Sequence, residues 1–566
     1  MGASNDSQSI RAKISWLDLH IQPTLSITLT LAAQPDNQFK CRSRVPSWHL
    51  KSYKHVRRDG NDLPTQGKFL IDKTKQFAVD GTKIPDVDFD VGESYAGLLP
   101  ISNSSNETRQ LYFWFWPSIQ PEPPKEIVIW LNGGPGCSSL IGLIGENGPF
   151  TWMDGTYKPV PNAFDWRNLT NVLWVEQPVG VGYSQGNVSI KDEPGLAKQF
   201  IGFYEQFIKT FDVQGWDLYL NGESYAGVTF NDPILSDPAT AQSITLKDFY
   251  LFHNNLYGYN TTTLVNLTTR HFDCGYDKYL EKYFTFPPPQ EPFPILPTPF
   301  SKNPQIEKCD TYSLMAYASQ FINPCFNIYR IIDHCPVPWS VLGPTDEGQY
   351  NPAPKTVFFN RTDVQKAINA PVGTAWIACS SKSVFVNETA GDESPPVAQT
   401  SVLTRVIEAT NNVIIGSGNL DAQLSTNGTI LSLQNITWNG HQGFKTYPST
   451  HPFFVPYHPN GWNPGSRAGA GVVGSWGEER GLIFYQVRFA GHLLPADAPG
   501  AAYRVLEKLL GRIKSLDEPG PFTTQKDVKN STMWTGGFLF KEDEGVPPID
   551  GYEVERMVRE GRNGTS

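Results

Sequence analysis

The sequence lacks any run of eighteen consecutive apolar residues, so no transmembrane helix is expected. It has no C-x-x-C pair and no Cys/His cluster at zinc spacing, so no metal is expected, and no cofactor motif stands out. It has no basic cluster, and a formal net charge of −10 argues against a nucleic-acid partner. No internal repeat recurs, which leaves solenoids and propellers aside. The start "MGASND" carries Asp6 where a myristoylation signal needs Ser or Thr.

What remains is a chain of 566 residues, 39% hydrophobic and 13% aromatic, an ordinary globular composition. That length suits several domains, or one large α/β core with insertions. The stretch "ISWLDLHIQPTLSITLTLAAQ" has Arg11 and Lys13 before or at its start and Ala32 and Ala33 at its end. Asp18, His20 and Pro23 interrupt it, so it reads equally as a degraded secretion signal or as an irregular extension. Asn103, Asn106, Asn168, Asn187, Asn260, Asn266, Asn360, Asn387, Asn427, Asn435 and Asn530 each begin Asn-x-Ser/Thr without proline. That density favours the secretory pathway and N-linked glycans. The cysteines are Cys41, Cys137, Cys274, Cys309, Cys325, Cys335 and Cys379, an odd set in which Cys41 is the candidate left unpaired.

Residues 1–80 carry no clear period. Short β-branched or aromatic runs follow at 110–116, 126–132 and 171–177, each closed by Gly, Pro or Asn, and they read as strands. Residues 196–211 have helical apolar spacing, and 216–222 read as another strand. Strands alternating with helices imply a mostly parallel sheet. Residues 284–300 are proline-rich and read as an exposed extended loop. With four cysteines around it, 240–370 reads as a disulfide-held insertion. The strand–helix pattern returns through 406–424 and 481–513. The charged end from 514 to 566 shows no core pattern and reads as a solvated tail.

Within "NGESYAG", Ser224 directly follows a strand, with Gly222 two residues before it. This is nearly the G-x-S-x-G elbow that holds a nucleophilic serine on a tight turn, with Ala226 in the final glycine position. A serine nucleophile needs a base and an orienting acid. Asp421 and His492 follow in the chain order Ser, Asp, His, each at a strand end, where open α/β sheets place their sites. An oxyanion needs backbone N–H donors. The glycines of "WLNGGPGCSS" make Gly134 a natural donor beside Tyr225. A plain tight turn is the bland alternative.

The stretches "WLNGGPGCSS", "ENGPF", "VEQPVGVGYS", "GESYAG", "GNLD" and "AGHLLPADAP" together resemble the serine carboxypeptidases, in particular fungal secreted or vacuolar members. The resemblance runs from about 80 to 513. It implies an α/β-hydrolase fold over 81–513 with a cap insertion at about 240–370. It also implies release of C-terminal residues from peptides or proteins at acidic pH. It assigns the substrate's C-terminal carboxylate to Asn132, Glu146 and Glu223, with Trp130 and Gly133 beside them, and it pairs Cys137 with Cys379. The pairing of Cys274, Cys309, Cys325 and Cys335 stays open. Two adjacent glutamates would share a proton at low pH and donate it to a carboxylate, which predicts binding that fades as pH rises.

One departure stands out. Gly227 is followed by Val228, Thr229 and Phe230 and then by Asn231-Asp232-Pro233, where the family runs on into a full helix. The segment looks deleted, which reads as a faulty translated sequence such as a mispredicted splice, or as an inactive or misfolded relative; an esterase or acyltransferase on the same fold is a further alternative. Retention of the carboxylate-binding set favours the peptidase, because an ester needs no clamp for a free carboxylate.

Overall fold

The computed structural model describes residues 67–228, 244, 254–294, 309–343, 357–387, 392–394, 401–458 and 469–525. The N-terminal stretch with Cys41, most of the segment after Gly227 and Asn530 lie outside the described residues.

Two hydrogen-bonded sheets carry the fold. In the larger, the strands run in the order Ala78–Val79, Ser94–Pro100, Gln110–Trp116, Asn171–Glu176, Glu126–Leu131 and Asp217–Gly222. Its pairing is mixed: Glu126–Leu131 is flanked in parallel by both Asn171–Glu176 and Asp217–Gly222, whereas Asn171–Glu176 pairs antiparallel with Gln110–Trp116. The second sheet runs His451–Val455, Gly471–Glu479, Leu482–Val487 and Val413–Gly418, the last two paired in parallel. Antiparallel strands close the outer edges of both.

Strict alternation along each strand makes two cores, one per face. Val128 and Trp130 point to one face, Ile127, Ile129 and Leu131 to the other, and all are buried. Each core also holds residues of the second sheet, Ile414 and Ile483 on the first face and Val413 and Ile415 on the other. The two sheets therefore share their hydrophobic layers. The helix Glu193–Phe211 covers the second face with Phe200, Phe203, Phe207 and Phe211 at helical spacing. Burial of each ring contributes about 1.5–3 kcal/mol. This helix begins three residues earlier than its apolar period. Asp192 accepts the Gly195 N–H at 2.8 Å, and proline is tolerated in the first turn, where its missing donor is not needed.

The insertion supplies helices Thr261–Asp273, Tyr276–Tyr283 and Thr311–Ile322. Disulfides join Cys274 to Cys309 and Cys325 to Cys335. The proline-rich stretch is not wholly exposed, for Phe293 is buried against Tyr279 and Tyr283. Leu516 and Phe522 lie in the first-face core, so the chain packs on the body at least that far. Among the described residues, no helix is long and apolar enough to cross a membrane.

Candidate active site

The strand Asp217–Gly222 ends two residues before Ser224, whose φ of +55° puts an L-residue in the left-handed region. Such a conformation costs roughly 1–3 kcal/mol and persists only where the surroundings impose it. A short helix, Tyr225–Val228, follows at once. A Cβ on Gly222 would meet Ala226 atoms at 3.1 Å, so Gly222 alone provides the close approach of helix to strand. That explains why Ala226, fully buried, is accommodated in the last glycine position of the elbow.

The glycine loop lies directly against this turn. A Cβ on Gly133 would meet the Tyr225 nitrogen at 2.4 Å and the Glu223 oxygen at 2.6 Å. Gly134 has φ +114° and is exposed. The loop is pinned by the disulfide Cys137–Cys379, by Ser138 N–H to Ala378 O at 2.8 Å and by Ser380 N–H to Gly136 O at 2.9 Å. Beneath it Glu176, fully buried, accepts from the Ser138 hydroxyl, the Tyr183 amide and the Trp376 indole. Burial pushes this carboxyl up to about 7 against the pull of those donors. Sequence reasoning passed over Glu176, because nothing in "VEQPVG" shows which donors converge on it.

Asn132, Glu146 and Glu223 meet in one buried pocket, each at most 3% exposed. The Trp130 indole donates to Asn132 Oδ1 at 2.8 Å, as does the Gly142 amide at 3.2 Å. This fixes the amide so that its Nδ2 donates to Glu223 Oε1 at 3.2 Å. Trp130 thus acts on the asparagine. Glu146 sits on the π-turn Leu143–Asn147, a widened turn that aims its side chain inward. Glu146 and Glu223 are buried side by side, and a proton shared between the two carboxyls would bridge one oxygen of each. Burial pushes Glu146 up to about 8. Glu223 is raised well above the carboxylate range by burial and then by Glu146.

Asp421 follows the strand Val413–Gly418, and His492 follows Leu482–Val487, the strand paired with it. His492 Nδ1 lies 2.7 Å from Asp421 Oδ2, and both residues are buried. The other aspartate oxygen accepts the Gln423 and Leu424 amides at 2.8 and 3.1 Å. His492 Nε2 is buried and has no hydrogen-bond partner among the described residues. The Asp421 charge also acts on Glu223, next to Ser224.

The bonds that hold the histidine escaped the sequence reading. His492 N–H donates to Tyr329 O at 2.8 Å, and Gly491 N–H donates to Asp497 Oδ2 at 2.8 Å. Asp497 was in plain view within "AGHLLPADAP", a short helical turn after the histidine. Tyr329 belongs to the insertion and carried no local signal.

A parallel-centred sheet with helices on both faces, a serine on a strained strand-to-helix turn and a coupled histidine and aspartate at the ends of later strands define an α/β hydrolase. The solved structure of the Kex1 prohormone-processing carboxypeptidase of Saccharomyces cerevisiae has this fold, with TM-score 0.58 and 18% identity over 78% of this chain and 97% of that one. The "Serine carboxypeptidase" family profile matches residues 85–512. A "Probable serine carboxypeptidase" of Arthroderma benhamiae is 43% identical, covering 79% of this chain and 89% of that protein. "Serine-type carboxypeptidase F" of Aspergillus niger is 40% identical over the same shares. The chain belongs to the serine carboxypeptidase family and is a serine-type carboxypeptidase, a hydrolase of the exopeptidase kind.

Proposed function

We propose that Ser224, His492 and Asp421 are the catalytic triad and that Glu146, Glu223 and Asn132 bind the substrate's terminal carboxylate. The observation that carries this is the placement of the buried carboxyl pair immediately beside the elbow, Glu223 being the residue before Ser224. Ser224 Oγ attacks the carbonyl carbon of the last peptide bond while His492 Nε2 takes its proton. The Gly134 and Tyr225 amides receive the developing oxyanion. Collapse breaks the C–N bond, and His492 returns the proton to the departing amine. Water then repeats the sequence on the acyl-serine and releases the shortened peptide. Asp421 holds the imidazole tautomer and stabilises its charged form.

The clamp explains exopeptidase specificity. A shared carboxyl proton can donate to a free terminal carboxylate, whereas two ionised carboxylates would repel it. Gly133 lets the glycine loop approach, and Trp130 orients Asn132. Domain 81–513, with its cap at 240–370, carries these parts. Three disulfides and exposed sequons at Asn103, Asn106, Asn187 and Asn266 support passage through the secretory pathway, with secretion or a vacuole as the destination.

The test compares an N-blocked dipeptide with its C-terminal amide between pH 4 and pH 8. The free acid should be cleaved far better than the amide, most so at the acid end. Equal cleavage of both, or activity that survives Ser224→Ala, would overturn the assignment.

A further inference from the structure

The insertion meets the catalytic strands at several points, among them one short segment, residues 328–331. Its backbone reaches both loops that carry the proposed acid and base. Ala422 N–H donates to Ile328 O at 2.9 Å, and Ile331 N–H donates to Leu420 O at 3.0 Å, so the segment brackets Asp421. Tyr329 O accepts the His492 amide at 2.8 Å, and the Tyr329 ring lies 4.9 Å from the imidazole. Contact is so close that a Cβ on Gly491 would meet Tyr329 O at 2.5 Å and Arg330 Cβ at 2.8 Å. Only glycine fits between the segment and the histidine.

The segment is itself held rigid. The Cys325–Cys335 disulfide closes a loop with a sequence separation of 10. Inside it, Asn327 Nδ2 donates to Asp333 Oδ2 at 2.9 Å, and from just before it Asn323 Nδ2 donates to Asp333 O at 2.6 Å. Arg330 then ties the loop to the histidine side. Its Nη1 lies 3.3 Å from Asp497 Oδ1 and 3.7 Å from Asp333 Oδ1. The other Asp497 oxygen accepts the Gly491 amide at 2.8 Å. Asp497 is buried, and losing its partner would leave a charge or an acid proton uncompensated at the residue before the base.

We propose that the Cys325–Cys335 loop is a positioning clamp for His492 and Asp421, and that Arg330 and Asp497 are its positioning residues. Neither touches the reacting atoms. They act by fixing the Gly491–His492 backbone relative to Asp421, and the inference rests on the triad reading above. A carboxypeptidase that places its base through an inserted loop couples the cap to chemistry as well as to substrate choice.

The test is the pair Arg330→Gln and Asp497→Asn, alone and combined, with Arg330→Lys as the conservative variant. Each is measured by steady-state cleavage of an N-blocked dipeptide and by the rate of fluorophosphonate labelling, with kcat normalised to labelled sites. Arg330→Gln should lower kcat and labelling rate together by roughly ten- to a hundredfold, the scale of a small misplacement of a catalytic group, with KM changed less than about twofold. Arg330→Lys should recover part of the loss. The double variant should match the worse single one, because both changes break the same contact. Normal kcat per labelled site in Arg330→Gln, a change in KM alone, or additive losses would overturn the clamp. Wild-type protein that fails to label, while folded, would instead sink the triad reading on which it rests.

Discussion

The elbow and the histidine loop hold their catalytic side chains by opposite means. Ser224 is placed by its own neighbours: a strand end, a left-handed turn, Gly222 beneath Ala226, and Gly133 pressed against the Tyr225 nitrogen. Most of these lie within a few residues of the serine; Gly133, the Glu223 N–H bond to Leu131 O at 3.0 Å, the Asn132 bond to Glu223 at 3.2 Å and the Tyr225 hydroxyl bond to Asp392 reach in from elsewhere. His492 is placed from afar, by Asp421 and by Tyr329 of the insertion, with Asp497 a nearby brace. The comparison teaches that a nucleophile can be strained into position locally, whereas a base that must swing a proton between atoms is oriented by long-range contacts.

The sharpest break in that comparison is chemical. Ser224→Ala should lower kcat by about four to six orders of magnitude and leave folding intact, since the turn tolerates the smaller side chain. Steady-state kinetics with circular dichroism checks it, and a loss under tenfold would refute the local account. Next comes Gly133→Ala. Its new methyl faces backbone on both sides, at 2.4 and 2.6 Å, and backbone cannot rotate away. A loss of roughly 10²–10³ in kcat is expected, comparable to removing an oxyanion donor. A variant with wild-type kcat would show that the loop and elbow are not in contact during catalysis.

Smaller effects sharpen the picture on the carboxyl side. Glu146→Gln keeps a hydrogen-bond donor but removes this group's share of the titration. Glu146 is held up to about 8, so in the wild type KM should rise about tenfold between pH 7 and pH 9 as the shared proton leaves. The variant keeps Glu223, which burial also raises, so its KM should rise by a clearly smaller factor over that range. A rise of equal size in both would mean that another group controls binding.

The mildest prediction concerns stability. Burial raises Glu146 and Glu193 to about 8, Glu176 to about 7, and Asp154 and Asp497 to about 6. Unfolded carboxyls titrate near 4. Between those values the folded chain binds more protons than the unfolded one, so stability falls as pH rises. The contribution is full below about pH 4 and is lost by about pH 8. Melting followed by fluorescence should give a Tm roughly 5 °C or more lower at pH 8 than at pH 5. An equal or higher Tm at pH 8 would contradict the assigned burial.

The same contrast governs what the sequence could reveal. Strands such as 126–131 and 171–176 were legible because they are buried on both faces and so read as unbroken apolar runs. The elbow, the glycine loop and the chain order of Ser224, Asp421 and His492 were legible because each is a local signature. The first turn of helix Glu193–Phe211 was not, since Pro194 and Gly195 look like breakers unless Asp192 is known to cap them. The Glu176 hub and the Tyr329–Arg330–Asp497 clamp were invisible because their partners come from distant segments. The four-residue helix Tyr225–Val228 shows that the helix after the serine does start. The apparent deletion that follows falls outside the described residues.

The central claim is that this chain assembles a reactive serine at position 224. Labelling the purified protein with a fluorophosphonate at about pH 5, within the working range of carboxyl pairs, and mapping the modified peptide tests it most directly. The account predicts one label, on Ser224, abolished by Ser224→Ala and slowed by His492→Ala. Folded protein that takes no label, or takes it on another serine, would contradict it.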